Sequence, residues 1–173
     1  MLRPSGRDGQ AASVRVLEIG ANTDEHLDLR VWLMLMTIHK LVRNEISRRF
    51  RDRFAVTLPR FDLMSQLRRS PNGLRMVEIS KRLMVTNGNV TAITNQLEKE
   101  RLVRRTVDSC NRSAFIIEMT PKGKKAFDAM AREHQGWLVD LLSGWTNAEK
   151  KAMLSLLGKN KAHLAKALNR SDR

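Results

Sequence analysis

From Leu27 onward, apolar residues return at the spacing of one helical face. Leu27, Val31, Met34, Ile38 and Leu41 form a stripe running to about Arg53, opened by Asn22 with Glu25 three residues on, the pattern of a capping box. Thr57 then caps a second helical pattern with Pro59 in its first turn, and Phe61, Met64 and Leu67 follow until the turn Ser70-Pro71-Asn72-Gly73. Between Leu74 and Leu97 stand two short helical patterns joined by a turn. Met76, Ile79 and Leu83 mark the buried face of the first, and Val90, Ile93 and Leu97 that of the second. This is the pattern of a helix-turn-helix.

Past Leu102 the period shortens. Val103 to Val107 and Ala114 to Met119 are rich in β-branched and aromatic residues, and the polar run Asp108 to Ser113 separates them, which predicts a β-hairpin. Thr120-Pro121 opens another helix, with Phe127, Met130, Trp137, Leu138 and Leu141 on its apolar side, ending near Ser143-Gly144. Thr146 and Glu149 form a second capping box, and the helix they open carries Leu154, Leu157, His163, Leu164 and Leu168. The fold class is therefore mainly α with a small β-hairpin. Residues 1–21, which show scattered glycine and arginine and no long period, are an N-terminal arm; 57–120 hold the helix-turn-helix and hairpin; 22–56 and 121–169 are helical.

On the second helix of the helix-turn-helix the free face carries Asn87, Gly88, Asn89, Thr91, Ala92 and Asn95, short side chains able to reach base edges without filling a groove. An ordinary surface helix shows Glu and Lys there. Charge sharpens the picture: 32 Lys and Arg against 18 Asp and Glu leave a formal net charge of +14, which points to a polyanionic partner, nucleic acid first. A merely soluble basic surface is the alternative that charge alone leaves open. Specific reading is favoured over DNA coating by the Asn/Thr face, because coating needs phosphate contacts only.

Catalytic and metal chemistry find no support. The four histidines never share a helical turn and have no Cys or carboxylate at ligand spacing, and neither a nucleophile in a strand-to-helix elbow nor paired carboxylates is visible. We therefore expect no catalytic residue, no metal and no cofactor. A single cysteine, Cys110, excludes an internal disulfide and suits a reducing compartment, so the expected location is cytoplasmic. No apolar stretch approaches the ~20 residues of a membrane span, and no membrane partner is expected.

The segments TLPRFDLMSQL, GLRMVEISKRLMVTNGNVTAITNQLEKERLV and MTPKGKKAF resemble the MarR family of winged helix-turn-helix transcriptional regulators, and the order of elements does so from about Asp24 to Leu168. The chain departs from the family pattern in two places. Arg101 stands at the end of the recognition helix where glycine is usual, and the wing reads Asn111-Arg112-Ser113 where Asp-Arg-Arg is usual. The resemblance implies a homodimer on a double-stranded, pseudo-palindromic operator, with 57–120 as the reading domain and 22–56 and 121–169 as the dimerisation region. In that setting Thr86, Asn87, Asn89, Thr91 and Asn95 are expected to contact DNA, Asn87 and Asn89 by pairing with adenines and Thr91 by bonding either base class. Arg112 at the wing tip belongs in or beside the minor groove, and Lys81, Arg82, Arg104 and Arg105 on phosphates. Cys110, in the same wing beside basic residues, is either incidental or an oxidant sensor.

The first helix carries a second stripe, Trp32, Met36, His39 and Arg43, held within about 60° of each other at 100° per residue. These side chains either line a site for an aromatic ligand with an anionic group or are ordinary core and solvated charge. The stretch RMVEISKRLMVTNGNVT resembles the MarR subgroup that responds to hydroxycinnamoyl thioesters of coenzyme A. That implies a repressor relieved by p-coumaroyl-CoA or a related aromatic acyl-CoA, with Phe61 and Trp137 adding aromatic surface and Lys40, Arg43 and Arg60 meeting its phosphates. A free phenolic acid as effector and a non-specific architectural protein remain the alternatives.

Overall fold

The structure, a computed structural model, describes residues 26–108 and 114–171. In chain order its elements are α1 (Leu27–Phe54), α2 (Leu58–Arg68), β1 (Leu74–Arg75), α3 (Met76–Leu83), α4 (Asn87–Lys99), β2 (Val103–Val107), β3 (Phe115–Met119), α5 (Pro121–Leu141) and α6 (Asn147–Ser171). The expected capping box of Asn22 and Glu25, the N-terminal arm, Cys110 and Arg112 lie outside the described residues. The remainder divides into two compact units, one ending at Ala131 and one beginning at Arg132.

The first unit holds the reading elements. Helix α1 ends where Ala55 turns left-handed at φ 52°, its N–H donating to the Arg51 carbonyl at 3.0 Å. Ile46 and Phe50 near that end are buried, and Phe50 meets Phe61 of α2 with ring centroids 4.6 Å apart. Phe61 in turn stacks on Phe127 of α5 at 5.2 Å, so one aromatic column links three helices. Around it Leu63, Met64, Ile79, Leu97 and Ile117 are fully buried. Thr57 stands at the start of α2 as expected, but it serves through its carbonyl, which accepts from the N–H groups of Arg60 and Phe61 at 3.1 and 3.3 Å, and not through its hydroxyl.

The sheet corrects one expectation. Leu74 and Arg75 do not begin a helix: they form a strand that pairs with Ile117 and Ile116, making a three-stranded antiparallel sheet in the order β1-β3-β2 in place of a two-stranded hairpin. Two residues are too few to show a period, and Gly73 before them accounts for the turn. At φ +74° it occupies a region that disfavours side chains, and a β-carbon there would lie 2.4 Å from Cγ2 of Ile116.

In the second unit the last helix is capped as its sequence predicts. The Thr146 N–H donates to Oε2 of Glu149 at 2.7 Å, and the Glu149 N–H donates back to the Thr146 hydroxyl at 3.3 Å. Those bonds favour the charged carboxylate and hold its pKa below the ordinary value. Leu154, Leu156, Leu157, Leu164 and Leu168 of this helix are exposed, as are Leu27, Leu29, Val31, Trp32, Met34, Met36 and Leu41 of α1 in the first unit. Among the described residues no helix is long and apolar enough to cross a membrane.

Candidate nucleic-acid interface

Helix α3 buries Ile79 and stops where Met84 turns left-handed at φ 54°. The turn is latched twice: the Val85 N–H donates to the Ser80 carbonyl at 3.2 Å, and the Ser80 hydroxyl donates to the Val85 carbonyl at 2.6 Å. Thr86 then caps α4, its hydroxyl accepting from the Asn89 N–H at 3.4 Å. Val90, Ile93, Thr94 and Leu97 bury one face of α4. At 100° per residue the line opposite them passes through Gly88, Thr91, Ala92, Asn95 and Lys99, all exposed, with Asn87 and Asn89 flanking it in the first turn. The outward centre of this helix is therefore nearly bare until Asn95.

The polar residues on this face are partly engaged within the protein. The Thr91 hydroxyl donates to the Asn87 carbonyl at 2.9 Å, and Oδ1 of Asn95 accepts from Nη2 of Arg105 on β2. Arg105 also stands 3.3 Å from a carboxylate oxygen of Glu98, and Arg104 donates to Glu118 at 2.8 Å. Both arginines, expected on phosphates, thus carry internal anionic partners that a phosphate must displace. Lys81 and Arg82 are exposed on α3, and Arg82 donates to the Ser70 hydroxyl at 3.1 Å.

Two further residues, Asp108 and Thr120, position this surface without having been assigned to it from the sequence. Asp108, whose side chain is 4% exposed, accepts from Nε of Arg75 at 2.6 Å, while its N–H donates to the Ala114 carbonyl at 3.0 Å, so it ties the base of the wing to β1. The Thr120 hydroxyl donates to the Arg101 carbonyl at 2.8 Å and accepts from the Gly123 N–H at 3.0 Å, joining the start of α5 to the end of α4. That end is a Schellman motif: the Leu102 N–H donates to the Leu97 carbonyl at 2.9 Å, the Arg101 N–H donates to that of Glu98 at 2.8 Å, and Leu97 and Leu102 are both buried. Arg101 sits at its left-handed position with φ 60°, the place where the chain lacks glycine. Only the resemblance of MTPKGKKAF hinted at the α5 contact, and Asp108 read as a turn residue.

The residues considered for an effector separate. Trp32, Met36, His39, Lys40 and Arg43 are exposed on α1, with Arg43 close enough to Asp62 of α2 to favour its ionised form against the burial that pushes that carboxyl up. Phe61 is instead held in the aromatic column and offers no open face, and Arg60 is instead turned into an ion pair with Glu100 at the end of α4. Trp137 belongs to the second unit, where it is half-buried.

Comparison with known proteins agrees with this arrangement. The sequence model of the MarR family matches residues 56–112. A MarR family transcriptional regulator from Silicibacter pomeroyi is 30% identical and superimposes with a TM-score of 0.67 over 82% of this chain and 99% of its own. The transcriptional regulator BldR from Sulfolobus solfataricus is 25% identical, with a TM-score of 0.71 and the same coverage. The HTH-type transcriptional regulator PecS of Dickeya dadantii is 26% identical over 148 residues, 83% of this chain and 89% of that protein.

Proposed function

This chain belongs to the MarR family of DNA-binding transcriptional regulators, not to an enzyme family, and on that premise we propose that it acts as a homodimeric repressor of a pseudo-palindromic operator. The observation that carries the reading is the outward line of α4, small and polar from Gly88 to Asn95 where a solvated helix would be charged, with a basic wing strand beside it. A second copy of the chain is the occupant we assign to the exposed stripe Leu27, Val31, Met34 and Leu41 of α1 and to the exposed leucines of α6. Two recognition helices then address half-sites about one turn of DNA, ~34 Å, apart. Asn87, Asn89, Thr91 and Asn95 face bases, Arg112 the minor groove, and Lys81, Arg82 and Arg104 phosphates, while Arg105, expected on a phosphate, is taken up by Asn95 and Glu98.

For the effector we propose an aromatic acyl-CoA such as p-coumaroyl-CoA. Exposed Trp32 and Met36 on the same helix face as His39 and Arg43, with Lys40 alongside, support an aromatic ligand bearing anionic groups. The test is a mobility shift on a selected operator with the thioester and the free acid side by side. The expected result is release by micromolar thioester alone. Equal release by the free acid replaces the thioester with a phenolic acid, and equal affinity for operator and random DNA replaces the regulator with an architectural protein.

A further inference from the structure

The polarity of Asn95 is fixed by its neighbour. A guanidinium only donates, so the amide atom facing Nη2 of Arg105 is the oxygen, and the NH2 group is the one left to a partner. Arg105 is itself held there: it lies on β2 opposite Ile117, is half-buried, and stands 3.3 Å from a carboxylate oxygen of Glu98 one turn further along α4. Asn95 in turn lies near the centre of the outward line of α4, beside Thr91 and Ala92, which do not overshadow it.

An asparagine that reads adenine uses both ends of its amide, accepting from N6 and donating to N7. Here the accepting end lies against a cation. An incoming amino group, from adenine or cytosine, meets the positive charge of Arg105, whereas the paired acceptors O6 and N7 of guanine meet a donating NH2 within a favourable field. We infer that Asn95 and Arg105 act together as a donor-only reader, selecting guanine at one position of each half-site. Arg105 is the positioning residue and Asn95 the contacting one. The inference rests on the reading of α4 as a recognition helix and adds to it the base it selects.

Selection of binding sites from random duplex DNA tests this, with the unaltered protein, Asn95→Ala and Arg105→Met run in parallel. Asn95 is exposed and its truncation leaves the core untouched, and Met keeps the apolar stem of Arg105 while the Glu98 carboxylate, which loses its ion pair with Nε, has a side chain 40% exposed and keeps its water. The unaltered protein is expected to prefer guanine about tenfold over adenine at one position per half-site. Asn95→Ala removes the preference at that position and no other, and Arg105→Met, which frees the amide oxygen, turns it toward adenine. The inference is overturned if Asn95→Ala changes no position, if the base it loses is adenine, or if guanine persists in Arg105→Met. Should the unaltered protein enrich no sequence at all, the sequence-specific reading itself fails and takes the inference with it.

Discussion

A β-carbon on Gly123 would lie 2.0 Å from the carbonyl oxygen of Leu102, so the first turn of α5 rests directly on the backbone that leaves the recognition helix. This contact has no room for even a methyl group. Gly123→Ala is expected to lower stability by about 1–3 kcal/mol in urea unfolding, although alanine is the better helix former. Gly136→Ala in the same helix, where nothing lies within 4 Å, is the control and should gain up to about 1 kcal/mol. A loss at both positions, or at neither, would show that close packing on Leu102 is not the cause.

Arg101 bends the chain in the opposite sense. Its left-handed φ of 60° costs a side-chain-bearing residue about 1–2 kcal/mol, of which glycine's freedom in the unfolded chain returns part. Arg101→Gly should therefore raise stability by about 0.5–1 kcal/mol, measured as a higher urea midpoint at unchanged slope. A midpoint at or below that of the unaltered protein contradicts the assignment.

The internal partners of the wing arginine set a third expectation. Glu118→Gln removes the carboxylate that Arg104 now holds at 2.8 Å, and binding to operator and random DNA alike should tighten about two- to fivefold. Lys81→Ala should do the reverse, weakening all sequences and reducing the salt slope by about one unit per half-site. Titrations at several salt concentrations separate the two, and a Glu118→Gln effect confined to the operator would place Arg104 on a base.

A fourth expectation concerns pH. Burial raises the Asp62 carboxyl above its ordinary value, more than Arg43 lowers it, so the folded protein holds that proton more firmly than the unfolded chain. Stability then falls as pH rises from the ordinary aspartate value, roughly 3.9, through the folded one. Asp62→Asn should be the more stable protein at pH 7, with the advantage vanishing toward about pH 3. A constant difference across that range would assign the effect to packing.

Long periodic segments were legible in the sequence because each turn repeats the signal. The buried faces of α3 and α4 and the Thr146–Glu149 cap follow directly from their spacing. What was hidden depends on residues meeting across elements. The pairing of Leu74 with Ile117, the tie of Arg105 to Asn95 and the stacking of Phe61 on Phe127 are settled by which element packs alongside, and no local period records that. Arg60 shows the same limit: helical spacing placed it among cations available to a ligand, whereas its reach to Glu100 binds α2 to the end of α4.

The pairing of β1 with β3 and the bond from Arg75 to Asp108 make the wing strands and the start of the helix-turn-helix one piece. Such a head behaves like a calliper whose jaws, the recognition helix and the wing strands, keep their gap. A ligand that frees DNA from the proposed dimer then has little to gain by loosening either jaw. For the proposed repressor the variable left is the pitch between two callipers, and release is then expected as a mismatch of that pitch to the winding of the operator.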